Sequence, residues 1–171
     1  GQAYGGKYHV DMPTSGQYGA MVRGAEIAWQ QSMEHWLPAP FDGLGLQLNY
    51  TYVDSKFDDP KLKDLSYTGM SKDSYNAVVY YEKYGVQARL AYNWRSKFLS
   101  YPGDWGGDSW TAAYGQLDAS ASYDVTEQLT FFIEAINLTN QREEQYSDSN
   151  DRLYNTTTSG RTYMIGMAYK F

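Results

Sequence analysis

Residues 162–171 alternate. Tyr163, Ile165, Met167, Tyr169 and Phe171 fall on one side, and Thr162, Gly166, Ala168 and Lys170 fall on the other. A period of two places successive side chains on opposite faces of a β-strand. The same pattern recurs along the chain and predicts eight strands, at about 4–11, 18–34, 44–57, 73–83, 86–98, 115–125, 129–140 and 161–171. The run 86–98 is the clearest: Val86, Ala88, Leu90, Tyr92 and Trp94 interleave with Gln87, Arg89, Asn93 and Arg95. In 115–125, Leu117, Ala119, Ala121, Tyr123 and Val125 oppose Gln116, Asp118, Ser120, Ser122 and Asp124.

A soluble sandwich or a lipocalin-like barrel would alternate in the same way. Three features favour a membrane barrel. The predicted strands run to about ten residues or more, as a tilted membrane-crossing strand requires, whereas ordinary strands average about five or six. The apolar rows end in Tyr50, Tyr52, Tyr92, Trp94, Tyr123 and Tyr169, residues that a lipid interface prefers. Connections also alternate in length: tight at 83–86 and 125–129, moderate at 36–43, long at 58–71, 99–113 and 141–160. Short turns on one side and long loops on the other mark an outer-membrane barrel. The predicted fold class is therefore all-β, an antiparallel transmembrane β-barrel of about eight strands in this chain. Its C-terminus is expected on the periplasmic side of a bacterial outer membrane, with lipid as a partner and the long loops facing outward.

Composition narrows the function. The 171 residues include 18 Tyr, 5 Trp and 6 Phe, and no Cys, so neither disulfides nor thiolate metal sites arise. Mean hydropathy is −0.64, and no apolar run reaches the roughly 18 residues a membrane helix needs. A net charge of −6 argues against a nucleic-acid partner. Only His9 and His35 are present, with no spacing that pairs either with a nucleophile and none that builds a metal site. Asp148, Asn150 and Asp151 offer oxygen ligands of the kind Ca²⁺ takes but read more simply as a polar loop tip. No enzyme activity, cofactor or metal is expected. Chain position 1 carries neither Met nor a signal peptide; export then implies a removed leader or a longer parent chain.

The long loops carry the candidate binding chemistry. Tyr101, Trp105 and Trp110 lie on a Gly-rich segment with Asp104 and Asp108, and Tyr146, Arg152 and Tyr154 lie on the next long loop. Aromatic faces stack on the C–H face of a sugar ring, while carboxylates accept its hydroxyl hydrogens. A ferric siderophore could use the same aromatics, but these acidic loops offer no basic cluster for an anionic chelate. A neutral ligand, such as a glycan or other carbohydrate, fits them more closely.

Several stretches resemble the late barrel strands of TonB-dependent receptors. They are Val22-Arg-Gly-Ala-Glu26, Leu37-Pro, Gly43-Leu-Gly-Leu, Asn49-Tyr-Thr-Tyr-Val-Asp54, Ser71-Lys-Asp-Ser-Tyr-Asn76 with Tyr80-Tyr81-Glu82, Ala88-Arg-Leu-Ala-Tyr-Asn-Trp-Arg95, Gln116-Leu-Asp-Ala-Ser-Ala-Ser-Tyr-Asp124, Ala135-Ile-Asn-Leu-Thr-Asn140 and Gly160-Arg-Thr-Tyr163. In style the chain is similar to the proteobacterial branch linked with carbohydrate uptake. The resemblance implies that 1–171 is the C-terminal part of a 22-stranded barrel, its last eight strands, with the plug domain and TonB box elsewhere. It also implies coupling to the TonB complex through that plug, and a possible surface lipoprotein partner. Gly166, Met167, Tyr169 and Phe171 resemble the C-terminal signal read by the barrel-assembly machinery; Met164 departs from the polar residue usual there. The alternatives are a stand-alone small outer-membrane barrel with a structural or adhesive role, a ferric-siderophore receptor, and a soluble ligand-binding β-barrel.

Overall fold

The alternating runs pair edge to edge into a single wall. The structure, a computed structural model, describes residues 18–60, 65–104 and 107–171. Its strands in chain order are β1 (Ala20–Ser32), β2 (Leu44–Phe57), β3 (Asp73–Lys83), β4 (Val86–Arg95), β5 (Phe98–Asp104), β6 (Gly107–Thr111), β7 (Tyr114–Asp124), β8 (Leu129–Ile136), β9 (Glu143–Ser147), β10 (Leu153–Thr157) and β11 (Thr162–Tyr169). Seven of them form an antiparallel sheet in the order β1-β2-β3-β4-β7-β8-β11. These seven correspond to the predicted strands from 18–34 onward; the predicted strand 4–11 lies outside the described residues. β4 and β8 end earlier than expected, at Arg95 and Ile136, because the chain there turns into the long connections. Those connections, expected as loops at 99–113 and 141–160, instead supply β5, β6, β9 and β10.

Register carries each apolar row from strand to strand. Trp29 stands opposite Leu48, Leu48 opposite Ala77, Ala77 opposite Tyr92, and Tyr92 opposite Leu117. Farther along, Ala121 faces Ile133 and Ile133 faces Ile165. Directly paired residues share a face, so one side of the sheet is apolar throughout. That side is uncovered: Ile165 is 84% exposed, and among the described residues only Val78, Leu99 and Tyr146 are buried large apolar side chains. An apolar surface this extensive marks a partner surface rather than a water-facing one. Aromatics rim it at both ends. Tyr75 stacks on Trp94 at 5.2 Å and tilts against Tyr92 at 5.9 Å toward the long connections. Tyr81, Tyr123, Phe131 and Tyr169 lie toward the short turns, where Tyr169 meets Phe171 edge-on at 5.4 Å. Aliphatic Leu46, Val79, Leu90 and Ala119 fill a register row between them.

The opposite face is polar and uses two glycines to seat rings. Gly45 pairs with Tyr80, and Gly166 with Phe132; a Cβ at either glycine would run into the partner ring. At the short-turn end, Tyr84 and Gly85 both take positive φ, 56° and 73°, the geometry of a two-residue type I′ hairpin between β3 and β4. The moderate connection, residues 33–43, is pinned onto that hairpin. Lys83 Nζ donates to Asp42 Oδ2 at 2.6 Å and to Glu34 Oε1 at 3.3 Å, and Tyr81 OH donates to the Pro40 carbonyl at 2.9 Å. The Lys83 hydrogen bond holds the Asp42 carboxyl below its ordinary range. Desolvation, with the Asp42 charge beside it, pushes the Tyr84 hydroxyl up.

Candidate functional site

The long-connection end is built by two segments that pair with each other. β5 pairs with β6, β9 with β10, and β6 with β9, giving a four-stranded sheet ordered β10-β9-β6-β5. At its centre Ser109 faces Ser147, Trp110 faces Tyr146, and Thr111 faces Gln145. Leu99 is fully buried there and Tyr146 nearly so. A hydroxyl contact of 2.7 Å joins Ser100 to Thr111. At the tip, Asp148 accepts from the Asp108 amide at 3.0 Å and from Arg152 at 3.1 Å.

Two side chains fix this small sheet to the wall. Arg95, at the end of β4, donates to Glu143 at 2.6 Å and to the Ala112 carbonyl at 3.1 Å. Its guanidinium also lies 4.8 Å over Phe98 and 5.7 Å over Tyr114. Arg suits this position because one planar fork can serve several acceptors and stack on rings at once. Asn137, at the end of β8, is 1% exposed and has a φ of 57°, a conformation Asn tolerates better than other L-residues with a Cβ. Its Nδ2 donates to the carbonyls of Gln141 (3.1 Å) and Gly160 (3.1 Å) and to Ser159 Oγ (3.3 Å), while its Oδ1 accepts from the Gln141 amide at 2.8 Å. The Asn137 amide itself donates to Asp118 Oδ1 at 2.8 Å. Asn137 thus clasps both ends of the segment that carries β9 and β10.

Below the small sheet the polar face of the wall is hollowed. One hollow of about 320 Å³ lies among Asn49, Asn76, Asn93, Arg95 and Tyr114. A larger one of about 390 Å³ lies nearer the short turns, among Gln47, Tyr80, Arg89, Ser120, Phe132 and Glu134. The chemistry available is hydrogen bonding and ring stacking. Among the described residues, no group of three His, Cys, Asp or Glu side chains could hold a metal ion. A one-sided apolar wall with girdles, a polar inner face and a folded loop sheet at one rim is the anatomy of a membrane transport barrel.

The family model described as "TonB dependent receptor-like, beta-barrel" matches residues 4–138. The chain belongs to that family. Membership implies a bacterial outer-membrane location and interaction with TonB, in a family of transporters rather than enzymes. No curated protein and no solved structure matches the chain. In this TonB-dependent receptor barrel, the apolar face is the lipid side and the polar face is the lumen side.

The predicted site residues fall as follows. Tyr101, Trp110, Tyr146 and Tyr154 are all brought onto the one loop sheet. Tyr101 and Tyr154 are exposed and Trp110 is half-buried, with Lys97 Nζ 4.8 Å over its ring. Tyr146 is 5% exposed and packs inside the sheet. Arg152 is engaged by Asp148, and Trp105 lies outside the described residues. Gly166, Met167 and Tyr169 lie on β11, with Phe171 just beyond it. Sequence reasoning missed Arg95 and Asn137 as loop anchors. The signal for Asn137 was present in Ala135-Ile-Asn-Leu-Thr-Asn140, a polar residue ending an apolar strand, but its burial was not readable from spacing.

Proposed function

We propose that this chain is the C-terminal wall of an outer-membrane TonB-dependent active-transport receptor that takes up a carbohydrate, in the manner of the proteobacterial carbohydrate-uptake branch. The wall supplies the last strands of a 22-stranded barrel whose plug, carried by another part of the protein, couples to TonB. The loop sheet faces outward and the C-terminus faces the periplasm. Gly166, Met167, Tyr169 and Phe171 serve as the signal for the barrel-assembly machinery. A surface lipoprotein that delivers oligosaccharide is a fitting partner for the outer loops.

The observation that carries this reading is the β6–β9 pairing, which turns two loops into one rigid platform. Binding residues favour loops held by rigid scaffolds. The platform presents the exposed rings of Tyr101 and Tyr154 and part of Trp110. Tyr146 stands opposite Trp110 in that ladder, and Asp148 holds Arg152 beside it. Titration of the whole receptor with neutral oligosaccharides tests the reading. Tyr101→Ala with Trp110→Ala is expected to cost about 1–2 kcal/mol, roughly tenfold in Kd; unchanged affinity and uptake would remove the loops from ligand capture.

A further inference from the structure

Four adjacent strands bring a carboxamide to one height on the lumen face. Asn49 in β2 stands opposite Asn76 in β3, Asn76 opposite Asn93 in β4, and Asn93 opposite Gln116 in β7. Neighbouring strands lie about 4.8 Å apart, so the amides repeat at that interval around the wall. Asn is depleted in strands, and four carboxamides in one register row are not what hydrophobic patterning selects.

The row is electrically quiet. A carboxamide offers two donors and an acceptor without charge. The acids at its two ends are already engaged: Asn49 Nδ2 donates to Glu26 at 2.7 Å, and Gln116 Nε2 donates to Asp118 at 2.8 and 3.0 Å. Arg95, just above the row, is turned toward Glu143 at 2.6 Å. In the middle, Asn76 donates to Asn93, whose own amide nitrogen has no partner among the described residues. The 320 Å³ hollow opens over this centre, with the Tyr114 ring on its border.

We infer that the amide row is a second binding track, on the lumen wall beneath the loop sheet, for a neutral, polyhydroxylated chain. This rests on the carbohydrate reading above and adds a site to it. Each hydroxyl of such a chain both donates and accepts, which is what a carboxamide answers. A hexose ring is about as long as the strand spacing, so a glycan lying across the wall sets one ring over each strand. An extended polypeptide repeats at about 3.3 Å per residue and falls out of step. An anionic chelate finds no unengaged cation in the row.

The test uses the full receptor, plug included, in detergent. Calorimetric titration with α- and β-linked gluco-, xylo- and manno-hexaoses identifies the tightest probe. Asn76→Leu with Asn93→Leu is expected to weaken that probe by about tenfold or more, with heat-modifiable gel migration reporting that the barrel has folded. If the Leu pair does not fold, Asn76→Ser with Asn93→Ser withdraws the amides while keeping the wall polar, and the same loss is expected. Unchanged affinity in a folded variant overturns the track and leaves the carbohydrate reading standing. Failure of the wild-type receptor to bind any hexaose overturns that reading and the track with it. Unchanged affinity combined with a protease-sensitive plug assigns the row to a polypeptide segment and overturns the track.

Discussion

Asn137 shows how much one side chain can hold when it is buried in a left-handed turn. Removing its amide would orphan the Gln141 N–H and the Gly160 carbonyl, two groups it now satisfies. Both groups are half-buried, so each costs about 1 kcal/mol when orphaned, the low end for buried groups, and alanine at a positive φ adds roughly 1 kcal/mol. Asn137→Ala is therefore expected to destabilise by roughly 2–4 kcal/mol in urea unfolding of the refolded receptor, with Asn137→Gly milder because glycine accepts the backbone geometry. A loss under about 0.5 kcal/mol would contradict the clasp. Asp42 makes a pH prediction at the same scale. Its folded-state pKa is lowered, chiefly by the Lys83 hydrogen bond, so the folded state binds fewer protons than the unfolded state at moderately acid pH. The stabilisation is present above the ordinary carboxylate pKa and is lost as pH falls through the lowered value. Protection factors of the amides in residues 33–43 are expected to hold from neutral into mildly acid pH and to fall only in stronger acid. Asp42→Asn should flatten that pH dependence.

At the scale of elements, the two long connections behave as one unit because β6 and β9 share a ladder. Arg95 and Glu143 tie that unit to β4, yet both side chains are partly exposed, at 25% and 41%. Solvent screening holds an ion pair of this kind to about 0.2–1 kcal/mol. A double-mutant cycle on Arg95→Ala and Glu143→Gln is expected to return a coupling in that range. Arg95→Ala alone should cost more than Glu143→Gln, since it also gives up the Ala112 carbonyl and the faces of Phe98 and Tyr114. Faster exchange of the β6 and β9 amides together would show the two connections loosening as a body; loosening of one without the other would break the single-unit description.

At the scale of the whole molecule, the two faces of the wall should respond oppositely to charge. Leu90 lies in the middle of the lipid face, between Val79 and Ala119. Leu90→Arg is expected to destabilise the inserted barrel by about 2–4 kcal/mol. Ser120, next to Arg89 on the lumen face, should accept arginine for about 1 kcal/mol or less, because that face meets water or plug rather than acyl chain. Unfolding titrations of the full receptor in phospholipid vesicles measure both, and equal costs would mean that the faces are wrongly assigned. Among the described residues the sheet is open, with β1 and β11 as its edges. Unpaired backbone is not tolerated in hydrocarbon, so in the membrane those edges must be paired, with each other or with further strands.

The amino-acid sequence by itself determined the strands, their faces and the family, because alternation is local: whether Leu90 or Arg89 faces lipid depends only on its neighbours along the chain. The loop sheet was not legible. β6 and β9 are five residues each, too short for a period to stand out, and they find each other across β7 and β8. The amide row was hidden for the same reason, since Asn49, Asn76, Asn93 and Gln116 become neighbours only when hairpin geometry sets the register. Local pattern decides which way a side chain points; only non-local pairing decides what stands beside it.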